Sequence, residues 1–358
     1  MISCLVIDKN NVKRYNEGGT NKNREGTELM KPKLLATLPS LSNMKSVERI
    51  VMHPNIDEVR LNTGARFPGK PEDVLKNLKE MCDYYGKKLW IDIKGRQLRI
   101  EKWADPVYES IELNHRIDPS AKGKTCLFRN GGSSVIQHVD NSGPNSRIFV
   151  YPLPEEALGA GQSINIIGDY SVNGYLTDRD KEFLYLAEKL GIKNVMASFV
   201  ESYTDIMEVL SCIHDADIVI KIESVRGVEF LKSSMKSLKG KIENGSIQVM
   251  AARDDLYLQM QQFGSKSPMA MMDSLWTIIH ADKNAICASR IFQSLEKRHG
   301  NISFSDMEDL ILMWHLGYRR FMLCDNVCNY AFEKAMDGWN SFVRMYDDSD
   351  KNKSEGGD

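Results

Sequence analysis

The stretch DIVIKIE (217–223), followed by the helical pattern VRGVEFLKSSMKSL and then by IQVMAARDD (247–255), decides the fold. DIVIKI is a short apolar run, as expected of a strand buried on both faces. The next segment has helix spacing, and a second buried-strand run follows it. That is one β–α–β unit, and the pattern recurs along the chain. Further strand candidates are LLATL (34–38), DEVRLN (57–62), KLWIDI (88–93), NVMASF (194–199), NAICAS (284–289) and RRFML around 320–323. With 217–222 and 247–252 they make eight. Helical stretches separate most of them. PEDVLKNLKEMCDYYG is stopped by Gly86, and TDRDKEFLYLAEKLG opens on Thr177 and closes on Gly191. Eight alternating units predict an α/β protein, a (β/α)8 TIM barrel.

One connection breaks the rhythm. Roughly 75 residues, Arg96–Ser171, follow the third strand, too many for a structureless loop inside a compact domain. They contain strand-like CLFRN, SSVIQHV and RIFVYPL with Gly-Gly and Asn-Ser-Gly turns, so they predict a small β-rich domain inserted there. The expected organisation is a mobile N-terminal extension (1–31), a first barrel part (32–95), the insertion (96–171), a second barrel part (172–347) and a disordered tail (348–358). Both ends are rich in Asn, Gly, Lys, Ser and Asp and have little to bury.

Composition narrows the function. The 358 residues are 42% hydrophobic and 27% charged, with 47 basic against 49 acidic side chains and a net charge of −2. Such a balance lacks the positive field of a general nucleic-acid binder. No apolar run reaches the ~18 residues of a membrane span. The seven cysteines form no CxxC pair, which predicts reduced thiols and a cytoplasmic location.

The strand ends carry the chemistry. Lys221 and Glu223 are two apart, so they share one face, and Asp255 ends the neighbouring unit. A structural salt bridge would account for the first two alone. Two carboxylates converging there instead suit a hard divalent cation with few protein ligands, Mg2+ or Mn2+.

The strand-end motifs, taken in order, resemble the pyruvate kinase family over most of residues 32–338. They are Lys-Pro-Lys-Leu-Leu-Ala-Thr-Leu (31–38), Arg60-Leu61-Asn62, Asp92-Ile93-Lys94-Gly95 with Arg99, Asn165 with Gly168, and Thr177-Asp178-Arg179-Asp180. The series continues with Ala197-Ser198-Phe199-Val200, Lys221-Ile222-Glu223, Ala252-Arg253-Asp254-Asp255, Ile286-Cys287-Ala288-Ser289 and Met322-Leu323. The resemblance implies phosphoryl transfer between phosphoenolpyruvate and a nucleoside diphosphate (ADP/ATP). Glu223 and Asp255 would be the metal ligands and Lys221 the catalytic lysine. Arg60 would hold the transferred phosphoryl group, and Ser289 would stand in for a threonine tied to proton delivery. Arg99 would lie near the nucleotide phosphates. Asn62 and Asp92 match two of the monovalent-cation ligands, but Gly64, Ile93 and Gln97 replace the rest of that set, so K+ is not expected to be required. The resemblance also implies that the family's C-terminal regulatory domain has no counterpart here, and it leaves room for a homo-oligomer built otherwise.

Other departures bear on the reaction. Asp254 replaces a glycine whose backbone region receives the substrate carboxylate, and a negative side chain at a helix N-terminus opposes anion binding. Gln162 replaces a lysine that approaches the nucleotide. Lys241-Ile242-Glu243-Asn244 copies the fifth-strand motif but lies too close to Asp255 to leave room for a helix. The same scaffold would also serve a lyase or carbon–carbon transferase working through a pyruvate enolate, or a non-catalytic barrel.

Overall fold

A computed structural model describes residues 31–101, 110–128, 131–155, 158–297 and 299–355. The chain opens with β1 (Lys33–Thr37), α1 (Met44–Val51), β2 (Glu58–Asn62), α2 (Pro71–Tyr84) and β3 (Lys88–Ile93). An insertion follows, with β4 (Ser110–Glu112), β5 (Arg116–Ile117), β6 (Thr125–Phe128), β7 (Ser133–Asp140), β8 (Arg147–Tyr151), β9 (Ile164–Ile167) and β10 (Val172–Asn173). The chain returns through α3 (Asp178–Leu190), β11 (Asn194–Ala197), α4 (Tyr203–Cys212), β12 (Asp217–Ile222), α5 (Val225–Glu243) and β13 (Ile247–Ala252). It finishes with α6 (Arg253–Met260), α7 (Ser267–Ala281), β14 (Ile286–Ala288), α8 (Phe304–Leu316), β15 (Arg320–Leu323), α9 (Asp325–Tyr330) and α10 (Phe332–Glu355).

The eight strands expected from the sequence close into one parallel barrel in the order β1-β2-β3-β11-β12-β13-β14-β15 and back to β1. Within the insertion, β4-β8-β7-β6-β9 form a five-stranded sheet with its own buried core, including Leu113, Ile117, Cys126, Ile136 and Ile148. The β-rich insertion is therefore a packed layer and not a loop.

Period-two alternation sets what fills the cylinder. Leu35, Trp90, Met196, Val219, Met250, Ile286, Ala288 and Met322 make an apolar plug inside it. Below the plug, the Glu58 carboxylate accepts bonds from the Trp90 indole N–H and the Arg320 guanidinium, the latter at 2.8 Å. Two residues further along the same strand faces come Arg60, Asp92 and Lys221. The plug is thus a floor, and the charged side chains stand on its upper side, at the C-terminal ends of the strands. Outward-facing residues such as Leu34, Val59, Ile93 and Ile220 pack on the helices.

Helix starts follow their caps. Thr177 with Asp180, Ser202 with Asp205 and Ser303 with Asp306 form reciprocal capping boxes, and α3 ends at Gly191 in the left-handed region (φ 69°). Three sequence boundaries need correction. The fourth strand stops at Ala197, because Phe199 turns to φ 50°, and the seventh stops at Ala288, because Ser289 turns to φ 65°. The segment expected as a disordered tail from 348 continues α10 as far as Glu355, since extending an existing helix adds a hydrogen bond per residue fixed. The N-terminal stretch 1–30 lies outside the described residues.

Candidate active site

The upper face of the barrel opens into a cavity of about 630 Å³ lined by Arg60, Asn62, Lys94, Arg99, Lys221, Glu223, Asp254, Asp255 and Ser289, among others. Asp92 lies at its floor, fully buried at the end of β3. Three cations converge on this carboxylate. Arg60 donates from Nε to Oδ2 at 2.9 Å and again from its second amino group, and Lys94 Nζ reaches the same oxygen at 2.7 Å. Lys221 Nζ approaches Oδ1 at 3.3 Å, as does the Ser198 hydroxyl. Burial alone would resist ionisation of Asp92, but Arg60, Lys221 and Lys94 hold its carboxyl well below the usual range. Arg60 is further fixed by donating to Thr37 Oγ1 at 3.0 Å.

Lys221 is oriented from three sides. Its ammonium donates to Ser198 Oγ at 2.8 Å and pairs with Glu223 Oε1 at 3.0 Å, besides its contact with Asp92. Glu223 is 2% exposed, and its other oxygen accepts the Phe199 backbone N–H at 2.7 Å. The left-handed turn at Phe199 aims that N–H. Burial raises the Glu223 carboxyl, Lys221 opposes the rise, and Asp255 and Asp92 add to it. Asp255 sits in the first turn of α6, where Asn165 of β9 donates to its Oδ1 at 3.2 Å. The insertion therefore touches the barrel at this carboxylate.

Lys94 is 6% exposed. Burial lowers its ammonium to about 7 against the support of Asp92, and Arg60, Lys221 and Arg99 push in the same direction as burial. Asp254, beside Asp255, also lines the cavity; burial and Asp255 raise its carboxyl, and Arg290 opposes them.

Arg60, Asn62, Arg99, Lys221, Glu223, Asp255 and Ser289 line this cavity, and Asp92 is buried against them. The look-alike Lys241-Ile242-Glu243 ends helix α5, and Lys221 lies on β12, as the helix argument required. Sequence reasoning gave no role to Lys94, Ser198 or Asn165. The alternation Asp92, Lys94 continues the inward face of β3 and was the available signal for the first. The other two depend on long-range approach.

Glu223 and Asp255 are the hard oxygen donors that this cavity could offer to a small divalent ion. Two carboxylates, Glu223 and Asp255, face one polar cavity, and no His, Cys, Asp or Glu group of three or more is arranged around a common centre among the described residues. A hard octahedral cation that keeps waters and takes substrate oxygens needs no more than one or two protein carboxylates. The monovalent-cation set does not fit. Gly64 has no side-chain oxygen, Ile93 packs outward in the barrel core, and Asn62 Oδ1 already accepts the Gly64 N–H at 3.1 Å.

Comparison with known proteins agrees with this architecture. No family model matches the chain. It is similar to pyruvate kinase 1 of Saccharomyces cerevisiae, 23% identical over 320 residues that cover 80% of this chain and 62% of that protein. It is 22% identical to the pyruvate kinase of Borreliella burgdorferi over 303 residues, 78% of this chain and 61% of that one. For the pyruvate kinase of Thermoplasma acidophilum the figures are 23% over 248 residues, 64% and 43%. The chain thus spans about three-fifths of the length of the first two relatives. These distant relationships support a pyruvate kinase-like protein on a TIM barrel. Among the described residues no helix is long and apolar enough to cross a membrane, and the six described cysteines are free.

Proposed function

We propose that this chain is a pyruvate kinase-like, divalent-metal-dependent phosphotransferase acting between phosphoenolpyruvate and a nucleoside diphosphate. The observation that carries the reading is Lys221 Nζ, 3.0 Å from Glu223 Oε1, in one cavity with Arg60 and Asp255. Glu223 and Asp255 would hold Mg2+ or Mn2+, which when bound supplies charge neutralisation for phosphoryl and enol oxygens. Arg60, pinned by Thr37 and Asp92, offers a planar fork for the transferring phosphoryl group. Lys221 is preorganised by Ser198 and Glu223 to offset negative charge that develops on the oxygen between phosphorus and the enol carbon. Ser289, in a left-handed conformation and lining the same cavity, would supply the hydroxyl through which a proton is passed to the enol carbon.

A second reading is favoured by Gln162. Its side chain accepts the Gly159 N–H at 3.0 Å and closes its own turn, so the insertion offers no cation from that position to a nucleotide. The metal and Lys221 would then serve a pyruvate enolate that attacks a different acceptor. A coupled assay with phosphoenolpyruvate, ADP and Mg2+ tests the first reading by pyruvate formation. Its absence, together with metal-dependent exchange of pyruvate methyl protons, would transfer support to the second.

A further inference from the structure

A second cavity, of about 370 Å³, opens where the insertion meets the loops after β11 and β12. That is room for a small metabolite. It shares no lining residue with the cavity of Lys221. Tyr170, Val172 and Val225 give it apolar surface, and Glu201 and Arg226 give it opposite charges. Glu201 lies in the loop after β11, and Arg226 in the first turn of α5.

Each of these two charges has an unused end. Glu201 Oε1 accepts the Ser224 hydroxyl at 2.6 Å, and Oε2 has no hydrogen-bond or ion-pair partner among the described residues. Burial raises the Glu201 carboxyl, and Ser224, Arg96 and Arg226 oppose the rise. Arg96 is already committed, because both of its amino groups donate to Asp205. Arg226 donates through one amino group to Asp169, whose side chain is 84% exposed, and its other guanidinium nitrogens have no partner among the described residues. An ion pair so open to water holds its arginine weakly. Glu201 and Arg226 form no ion pair with each other. A carboxylate and a guanidinium therefore line one cavity without closing on one another.

The wall that carries them is fixed. A Cβ on Gly227 would stand 3.0 Å from the Val200 carbonyl oxygen, so α5 is seated against the Glu201 loop. Ser224 joins the two, accepting the Gly227 N–H at 3.0 Å while it donates to Glu201.

We propose that this cavity binds a small zwitterion of the amino-acid class, with its ammonium on Glu201 Oε2 and its carboxylate on Arg226. A simple cation placed there would meet the guanidinium, and a simple anion would meet the carboxylate. A molecule with both ends satisfies each charge, and Tyr170, Val172 and Val225 would cover its carbon skeleton. Such a site would exist whether or not the chain transfers phosphoryl groups.

Calorimetry on the full chain at constant ionic strength tests this with alanine, β-alanine and 4-aminobutyrate, which set the two charges progressively further apart. Saturable binding of at least one is expected, with a Kd of about 1 mM or tighter, and no saturation by any of them up to about 20 mM would overturn the proposal. The half-ligands n-propylamine and butyrate should bind at least about tenfold more weakly than the best zwitterion, the scale of one lost charge-assisted contact. A half-ligand as tight as the whole would overturn the two-ended mode, and because that comparison uses the unaltered protein, a folding defect cannot mimic it. Glu201→Gln keeps an oxygen for the Ser224 hydroxyl but removes the charge, and should weaken the best zwitterion about tenfold, as should Arg226→Gln. The exposed Glu229, which also lines the cavity, is the control, and Glu229→Gln should leave the affinity within about twofold. Unchanged affinity in Glu201→Gln, or an equal loss in Glu229→Gln, would overturn the assignment.

Discussion

Lys221 within β12 and Glu223 one residue past its end form an ion pair of 3.0 Å under almost complete burial. The pair does not close on itself: Lys221 also reaches Ser198 and Asp92, and Glu223 also accepts from Phe199. A buried pair without such partners would not recover its desolvation. With them, each side chain is held in place before any ligand arrives.

Glu223→Gln removes one of two carboxylates proposed to hold the divalent ion. Mn2+ affinity, read by electron paramagnetic resonance, should fall by more than the roughly 10–100-fold that loss of an outer hydrogen-bond partner costs a metal site. Undiminished affinity would place the ion elsewhere.

Lys221→Met should lower kcat by about 10²–10³, the range for removing one preorganised charge-stabilising donor. Mn2+ affinity should be retained, because Glu223 and Asp255 remain. Collapse of both activity and metal binding would assign Lys221 a structural role only.

Asp254→Gly takes a negative charge from the first turn of α6. A simple dicarboxylate such as oxalate, added with Mg2+, should bind about 3- to 10-fold more tightly, in line with the ~1 kcal/mol scale of a charge near a helix terminus. Calorimetry comparing the two proteins reads this directly. An equal affinity would mean that the carboxylate does not approach α6.

Stability should respond to pH through Lys94. Its ammonium is lowered to about 7 by burial, against Asp92 and with Arg60, Lys221 and Arg99, from an ordinary 10.5. Between those values the unfolded chain binds the proton and the folded chain does not, so folding stability gains with rising pH across that window. Urea unfolding at pH 7 and pH 9 should show a smaller gain for Lys94→Met than for the wild type. Equal gains would mean that Lys94 titrates normally.

Phe342 of α10 is fully buried and packs its ring against Trp314, Phe321 and Trp339. Phe342→Ala should cost about 3–5 kcal/mol by chemical denaturation, as for other large-to-small changes in a core. A cost under about 1 kcal/mol would show that α10 is not integral to the barrel.

The barrel was legible because buried parallel strands are short apolar runs, and 88–93, 217–222 and 247–252 end where the sequence places them. Strand ends that leave through a left-handed residue, at Phe199 and Ser289, carried no such mark, since neither residue type favours that conformation. Pattern and resemblance together singled out Lys221, Glu223 and Asp255, which line one cavity. The hub role of Asp92 was not legible, because three of its partners come from other strands or their ends: Arg60 on β2, Ser198 after β11 and Lys221 on β12. Arg99 illustrates the same limit. Its charge is visible in the sequence, but its seat over Gly64, where a Cβ would meet the guanidinium at 2.8 Å, follows only from how the chain turns back.

Asn165 is borne by an edge strand of the inserted sheet, while the carboxylate to which it donates belongs to the barrel wall. A rocking of that sheet as a body would pull on Asp255 without disturbing Glu223. Changes on the far surface of the insertion would therefore have a mechanical route to Asp255, one of the two carboxylates proposed to hold a divalent ion, while the barrel stayed the same.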